Sequence, residues 1–140
     1  MFYRDGFIRS RTFDLDKLAF APFVVLSETT GVDLTTTGTT DLCTIPSGQT
    51  PIILGTIFEV SNISSPTSDP AISVGIAAGE TDIFPTSTLV AFDTLNKTYT
   101  FWTDAKSVHG VATDVIRMNV QTAAVATTLE ADVKLIGFET

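Results

Sequence analysis

Cysteine and histidine are almost missing from this 140-residue chain, which has one of each. A single thiol closes no internal bridge, so no disulfide framework holds the fold. Zinc needs three or four His, Cys or acidic ligands, and Cys43 and His109 are separated by several predicted elements. Positive charge is scarce as well: eight Lys and Arg face sixteen Asp and Glu, a net charge of −8. Neutralising phosphate takes clustered cations, so neither nucleic acid nor an anionic membrane is an expected partner. Long apolar runs are lacking too. The longest, residues 18–26 (LAFAPFVVL), has nine residues, against about 20 for a membrane-spanning helix. It has the length of a signal-peptide core. However, Asp14 and Asp16 stand where positive charge is wanted, Pro22 interrupts the run, and no small-x-small cleavage site follows. The run therefore reads as strand, and no signal peptide is expected.

What remains is apolar and rich in β-formers. Hydrophobic residues make up 44% of the chain and charged ones 17%, with a mean hydropathy of +0.30. That is too apolar for a disordered acidic tail. Twenty-four threonines and ten phenylalanines accompany few Lys, Glu, Gln and Arg, a bias towards strands. The length is that of one domain, and it suffices to bury roughly two-thirds of the unfolded surface without a metal or disulfide.

Along the chain, short β-runs alternate with Gly, Pro, Ser, Asn and Asp clusters. The pattern predicts strands over residues 23–27, 42–45, 51–60, 71–76, 89–92, 97–103, 114–121 and 128–138, with 31–38 as a Thr-rich edge. Pro46-Ser47-Gly48 is a turn. In 51–60 both faces are apolar, with Ile52, Leu54, Phe58 and Val60 on one and Ile53 and Ile57 on the other, so this strand should be central or covered by a partner. Ile72, Val74 and Ile76 should face inward, and Ser73 and Gly75 outward. Residues 62–70, 77–88 and 105–113 read as loops, and 89–92 should form a hairpin with 97–103. In the last strand Leu129, Ala131, Val133 and Leu135 point inward and Glu130, Asp132 and Lys134 outward, because a one-residue slip would bury three charges. These features predict an all-β fold: a single β-sandwich, jelly-roll-like, of about eight antiparallel strands.

No catalytic constellation accompanies that fold. Cys43 stands between Leu42 and Thr44 in an apolar strand and reads as a small buried hydrophobe. His109 precedes Gly110 without a G-x-S-x-G elbow, and so reads as a surface or interface histidine. Glu59, Glu80 and Glu130 are scattered and do not form the close pair that glycoside hydrolysis needs. Asp14 and Asp16 form a D-x-D, but the Gly and bidentate Glu of a calcium loop do not follow. The TGTT of residues 37–40 lacks a phosphate-loop lysine. No enzyme activity, cofactor or metal is expected. Tyr99, Phe101 and Trp102 share one strand, with Trp102 facing away from the other two. Core packing accounts for one face, and the other offers a sugar-stacking platform.

The charge is divided along the chain. Residues 1–17 hold four basic residues (Arg4, Arg9, Arg11, Lys17) against three acidic ones, a net +1, while the remainder carries four against thirteen, a net −9. A basic, aromatic N-terminal arm, residues 1–22, thus precedes an acidic sandwich domain, residues 23–140. The aromatic residues of the leader, Phe2, Tyr3, Phe7, Phe13 and Phe20, are expected to order against an apolar surface of its own body or of another subunit.

Two segments, LTTTGTTDLCTIPSGQTPIILGTIFEVSN (residues 34–62) and LEADVKLIGFE (residues 129–139), resemble the strand-turn-strand unit and the last strand of small β-sandwich virion proteins of tailed bacteriophages. The resemblance covers about a third of the chain. It implies a capsid cement or decoration subunit, a homotrimer that binds the major capsid protein on the outer surface of the head through an extended arm. Phe2, Tyr3, Arg4, Phe7, Arg9, Arg11 and Phe13 would then be arm contacts, and the protein would be made in the host cytoplasm. The alternative is a host-recognition adhesin or tail-fibre tip that binds surface glycans through Trp102 and the loops at 77–88 and 105–113.

Overall fold

A computed structural model of the chain describes residues 24–76, 83–102, 108–109 and 114–138. Within them all regular structure is β-strand: β1 (Val24–Asp33), β2 (Gly38–Thr44), β3 (Ile52–Ser64), β4 (Ala71–Gly75), β5 (Phe84–Thr88), β6 (Thr98–Trp102), β7 (Val108–His109), β8 (Val115–Thr122) and β9 (Thr128–Phe138). One sheet has the order β1-β9-β3-β6, with the two-residue β7 pairing to β3, and the second has the order β2-β8-β4-β5. Every pairing is antiparallel.

Setting β7 aside, the pairs β1/β9, β2/β8, β3/β6 and β4/β5 nest inside one another, first strand with last. They are the rungs of one long hairpin whose tip is β4-β5. Rolling that ribbon brings β9 beside β3 and β8 beside β4, which closes both sheets. The result is the double-sheet jelly roll that the strand count and alternation predict.

Between the sheets lies a single apolar cluster that includes Leu34, Ile53, Phe58, Val60, Ile72, Val74, Leu89, Phe92, Ile116, Met118 and Leu135. β9 supplies Leu129, Ala131, Val133 and Leu135 inward, as its alternation requires, and Ile116, Met118 and Val120 do the same from β8. Phe58 sits among rings from both sheets. It meets Phe84 of β5 edge-on at 5.8 Å and Phe101 of β6 at 5.9 Å, while Phe84 and Phe101 stack at 4.7 Å. These geometries are those that aromatic quadrupoles favour.

Several sequence-based expectations change. In β3 the facing of Ile52 and Leu54 is reversed, because a register shift between Ile53 and Gly55 inserts Leu54 as a bulge against β9. Ile53 therefore enters the core with Phe58 and Val60, and Ile52 and Leu54 move to the outer face. The strand also runs on to Ser64, past the expected loop start at Asn62. The predicted Thr-rich edge is split, with Gly31 to Asp33 ending β1 and Gly38 opening β2. The expected hairpin of 89–92 with 97–103 does not form. Residues 84–88, placed in a loop by Pro85, are the strand β5 at the edge of the second sheet, where a proline is tolerated. Leu89 and Phe92 instead plug the end of the sandwich, in a turn where Ala91 has φ 56°. Ser73 and Gly75, expected to face outward, are buried.

Gly137 is required by close approach, because a Cβ there would collide with the backbone of Ile52 across the β3/β9 pairing. Gly137→Ala is expected to lower stability by about 1–3 kcal/mol through overpacking. Phe58→Ala should cost about 3–5 kcal/mol. Denaturant midpoints at unchanged slope check both.

Candidate functional site

The two ends of the roll differ. At one end four connections meet: β1–β2, β3–β4, β5–β6 and β8–β9. They are laced by backbone bonds, with Leu34 N–H donating to Leu129 O at 2.9 Å, Ala124 N–H to Leu34 O at 2.8 Å, Thr67 N–H to Val125 O at 2.7 Å and Thr127 N–H to Ser64 O at 3.0 Å. The Asp69 carboxylate accepts from the amides of Ala91 (2.9 Å) and Phe92 (3.2 Å), which holds the β5–β6 turn against the β3–β4 loop. The Tyr99 hydroxyl donates to the Val90 carbonyl of the same turn. All three non-glycine residues with positive φ among those described, Ser65, Ala91 and Asn96, stand in this rim. So do three exposed large apolar side chains, Val90, Leu95 and Val125. The rim is a fixed surface in which strained backbone is held by hydrogen bonds.

The opposite end, here called the root, receives the chain at Val24 and releases it at Phe138. It also carries the β2–β3 turn, in which Gln49 N–H donates to Pro46 O and Gly48 has φ 83°. Phe2, Tyr3, Arg4, Phe7, Arg9, Arg11 and Phe13 lie outside the described residues, as do Asp14, Asp16 and Glu80. Of the two loops offered for glycan contact, the described part of 77–88 is Ile83 plus strand β5, and the described part of 105–113 is the backbone of β7.

Trp102 closes β6 on the outer face of the first sheet, 55% exposed, whereas Tyr99 and Phe101 turn inward as their alternation predicts. Its partner across the ladder is Gly55, and the indole Cε3 lies 3.2 Å from where a Gly55 Cβ would be. Pairing extends this row across all four strands as Val25, Ile136, Gly55 and Trp102. Towards the rim the outer face becomes charged. Glu28 pairs with Lys134 through an ion pair of 3.4 Å, followed by Asp132 opposite Glu59 and then by Asp33 and Asn62 on either side of Glu130. Sequence reading did not find this gradient, since it depends on cross-strand register and on the bulge in β3.

Elsewhere the chemistry is sparse. Among the described residues no three His, Cys, Asp or Glu side chains stand close enough to hold a metal ion. Cys43 is half-buried beside Leu26, Ile45, Pro51 and Ile116. Burial pushes its thiol up, opposed in part by the Ser27 hydroxyl, so it stays protonated at neutral pH and is a poor nucleophile. His109 is described only by its backbone pairing with Ile52. The Asp33 carboxyl is held below its ordinary value of 3.8 first by the Thr35 hydroxyl (2.7 Å), then by the Thr35 amide (2.8 Å).

The fold is that of chains found in phage capsids. The chain is similar to one in the cyanophage Pam1 capsid asymmetric unit, with a TM-score of 0.52 and 19% identity over 79% of each chain. It is similar as well to one in the acidic stable capsid structure of Helicobacter pylori bacteriophage KHP30, with a TM-score of 0.54 and 21% identity over 84% of this chain and 91% of that one. No protein-family model matches the chain, and neither does any curated protein sequence.

Two outcomes follow from the rim. Asp69→Ala removes a charged acceptor from two amides and should destabilise by about 1.5–3 kcal/mol, read by hydrogen exchange at Ala91 and Phe92. The Asp33–Thr35 contact exists while the carboxyl is ionised. Because the folded pKa is depressed, its contribution is present above the unfolded value and fades as pH falls through the folded one. Thr35→Ala should return the Asp33 titration towards 3.8, measured by carboxyl NMR shifts.

Proposed function

We propose that this protein is a phage virion structural protein, a cement or decoration subunit that binds the outside of the head and stabilises the lattice of the major capsid protein. The observation that carries the reading is the jelly roll shared with two phage-capsid chains. The division of charge supports it. An acidic body repels its copies in solution, while a leader of net +1 with aromatic residues suits an acidic or apolar groove. Phe2, Tyr3, Arg4, Phe7, Arg9, Arg11 and Phe13 are the proposed contacts. The proposed arm, residues 1–22, spans at most roughly 80 Å when fully extended. A trimer is the proposed assembly, in which several weak arms engaging one shell gain avidity.

With the arm at the root facing the shell, the hydrogen-bonded rim projects outward. The exposed Trp102 favours a second reading, a glycan-binding adhesin, because an accessible indole is a stacking surface for sugar.

Deleting residues 1–20 should leave the sandwich folded by circular dichroism and abolish co-sedimentation with capsids. Decoration by the truncated protein at full-length levels would sink the clamp. On a glycan array no signal is expected. Binding that is lost in Trp102→Ala would favour the adhesin instead.

A further inference from the structure

The outer face of the first sheet holds a residue that the sandwich does not explain. Ile136 is only 8% exposed, yet it does not join the apolar cluster between the sheets. Its ladder partners show which way it points. On one side it pairs with Val25, 51% exposed, and on the other with Gly55, which pairs onward with Trp102, 55% exposed. Ile136 lies mid-row on the outside of the sheet, flanked by a glycine that has no side chain to cover it. Ile52 and Phe138 form the next row towards the root, so the apolar surface is two rows deep and ends where the Glu28–Lys134 pair begins.

We propose that residues 18–23 of the same chain, Leu-Ala-Phe-Ala-Pro-Phe, lie across this row and anchor the root of the arm. Four observations lead to this occupant. Position comes first: residue 23 joins Val24, whose neighbour Val25 begins the row. Chemistry is second, since all six residues are apolar and carry no charge into a surface that has none until Glu28 and Lys134. Length is third. The row crosses four strands, about 14 Å at 4.8 Å per gap, and six residues reach about 20 Å. The sequence has a proline at position 22, a residue type suited to the turn that a segment leaving an antiparallel strand would need in order to cross the sheet.

Size is fourth, and it excludes the body of a second copy. The four-strand row and the Ile52–Phe138 pair beside it make less than about 200 Å², against about 800 Å² per partner in a stable interface. A tethered segment needs no such area, because attachment at Val24 gives it a high effective concentration. Residues 1–17, which hold every leader charge, then extend beyond the sandwich as the contacting arm. The inference does not depend on the capsid reading, since it is tested on the isolated protein.

Trp102 is the sole tryptophan and stands at the far end of the row, so its emission reports occupancy. In the full chain, Leu18→Ser combined with Phe20→Ser should shift the Trp102 emission to the red and increase its quenching by acrylamide, with an unchanged circular dichroism spectrum. Val25→Lys, which disrupts the row from the sheet side, should do the same. In the unmutated protein the emission should be independent of dilution. Emission unmoved by both variants would overturn the proposal. So would emission that moves red on dilution, because the row would then be covered by another copy.

Discussion

The seam between β3 and β9 is the constraint on which the rest of the molecule depends. It runs from Ile52 opposite Phe138 to Ser64 opposite Thr128 and is the longest ladder in the fold. Without it the chain is a ribbon of nested hairpin rungs with nothing to bring the first sheet together, since β1 and β6 touch that sheet only through β9 and β3. Its two partners are 52–64 and 128–138, so closure joins residues far apart in sequence and its entropic cost must be met by burial. That burial is supplied by Phe58, Val60, Ala131, Val133 and Leu135 on the inner side. The outer side works against closure at one point, where Glu59 and Asp132 face each other directly, an unfavourable like-charge pair. The rows on either side relieve it, because the Lys134 ammonium is one step away and Asp132 accepts a hydrogen bond from the Gly31 amide at 2.9 Å.

Much of this seam is legible in the sequence, for reasons that can be stated residue by residue. β9 alternates without interruption from Leu129 to Leu135, and its three charges admit one register only. β8 is equally clear. β3 misleads because a bulge at Leu54 changes the facing of every residue before it, and no local residue pattern marks that bulge, which is visible only in the register against β9. β5 is hidden by Pro85, which is compatible with a strand only because β5 is an edge. The false hairpin has a related origin. Leu89, Phe92, Tyr99 and Phe101 are all apolar and close in sequence, but the first two serve as an end plug, and β6 pairs with β3.

The surfaces are less legible than the core. The division of the leader at residue 17 is plain from charge alone, and Trp102 facing away from Tyr99 and Phe101 follows from alternation. The apolar row on the outer face is not, because its members come from four strands and are neighbours only through register. Val25, Gly55, Trp102 and Ile136 share no motif. Each looks ordinary in its own strand, and Gly55 looks like a defect until the indole beside it is seen to need the space. The rim is similar. Asp69 is one acid in a turn-rich run, and its role depends on the amides of Ala91 and Phe92, brought to it by the roll.

The two ends consequently respond differently to substitution. Rim residues are tied to one another and to the core through Leu34, Ala124 and Leu89, all buried, so a change there propagates into the sandwich. Among the described residues the core cluster, by contrast, draws its buried members from Val32 to Leu135. A binding surface made from the rim would couple recognition to stability, because its strained turns are held by the same hydrogen bonds that close the sandwich.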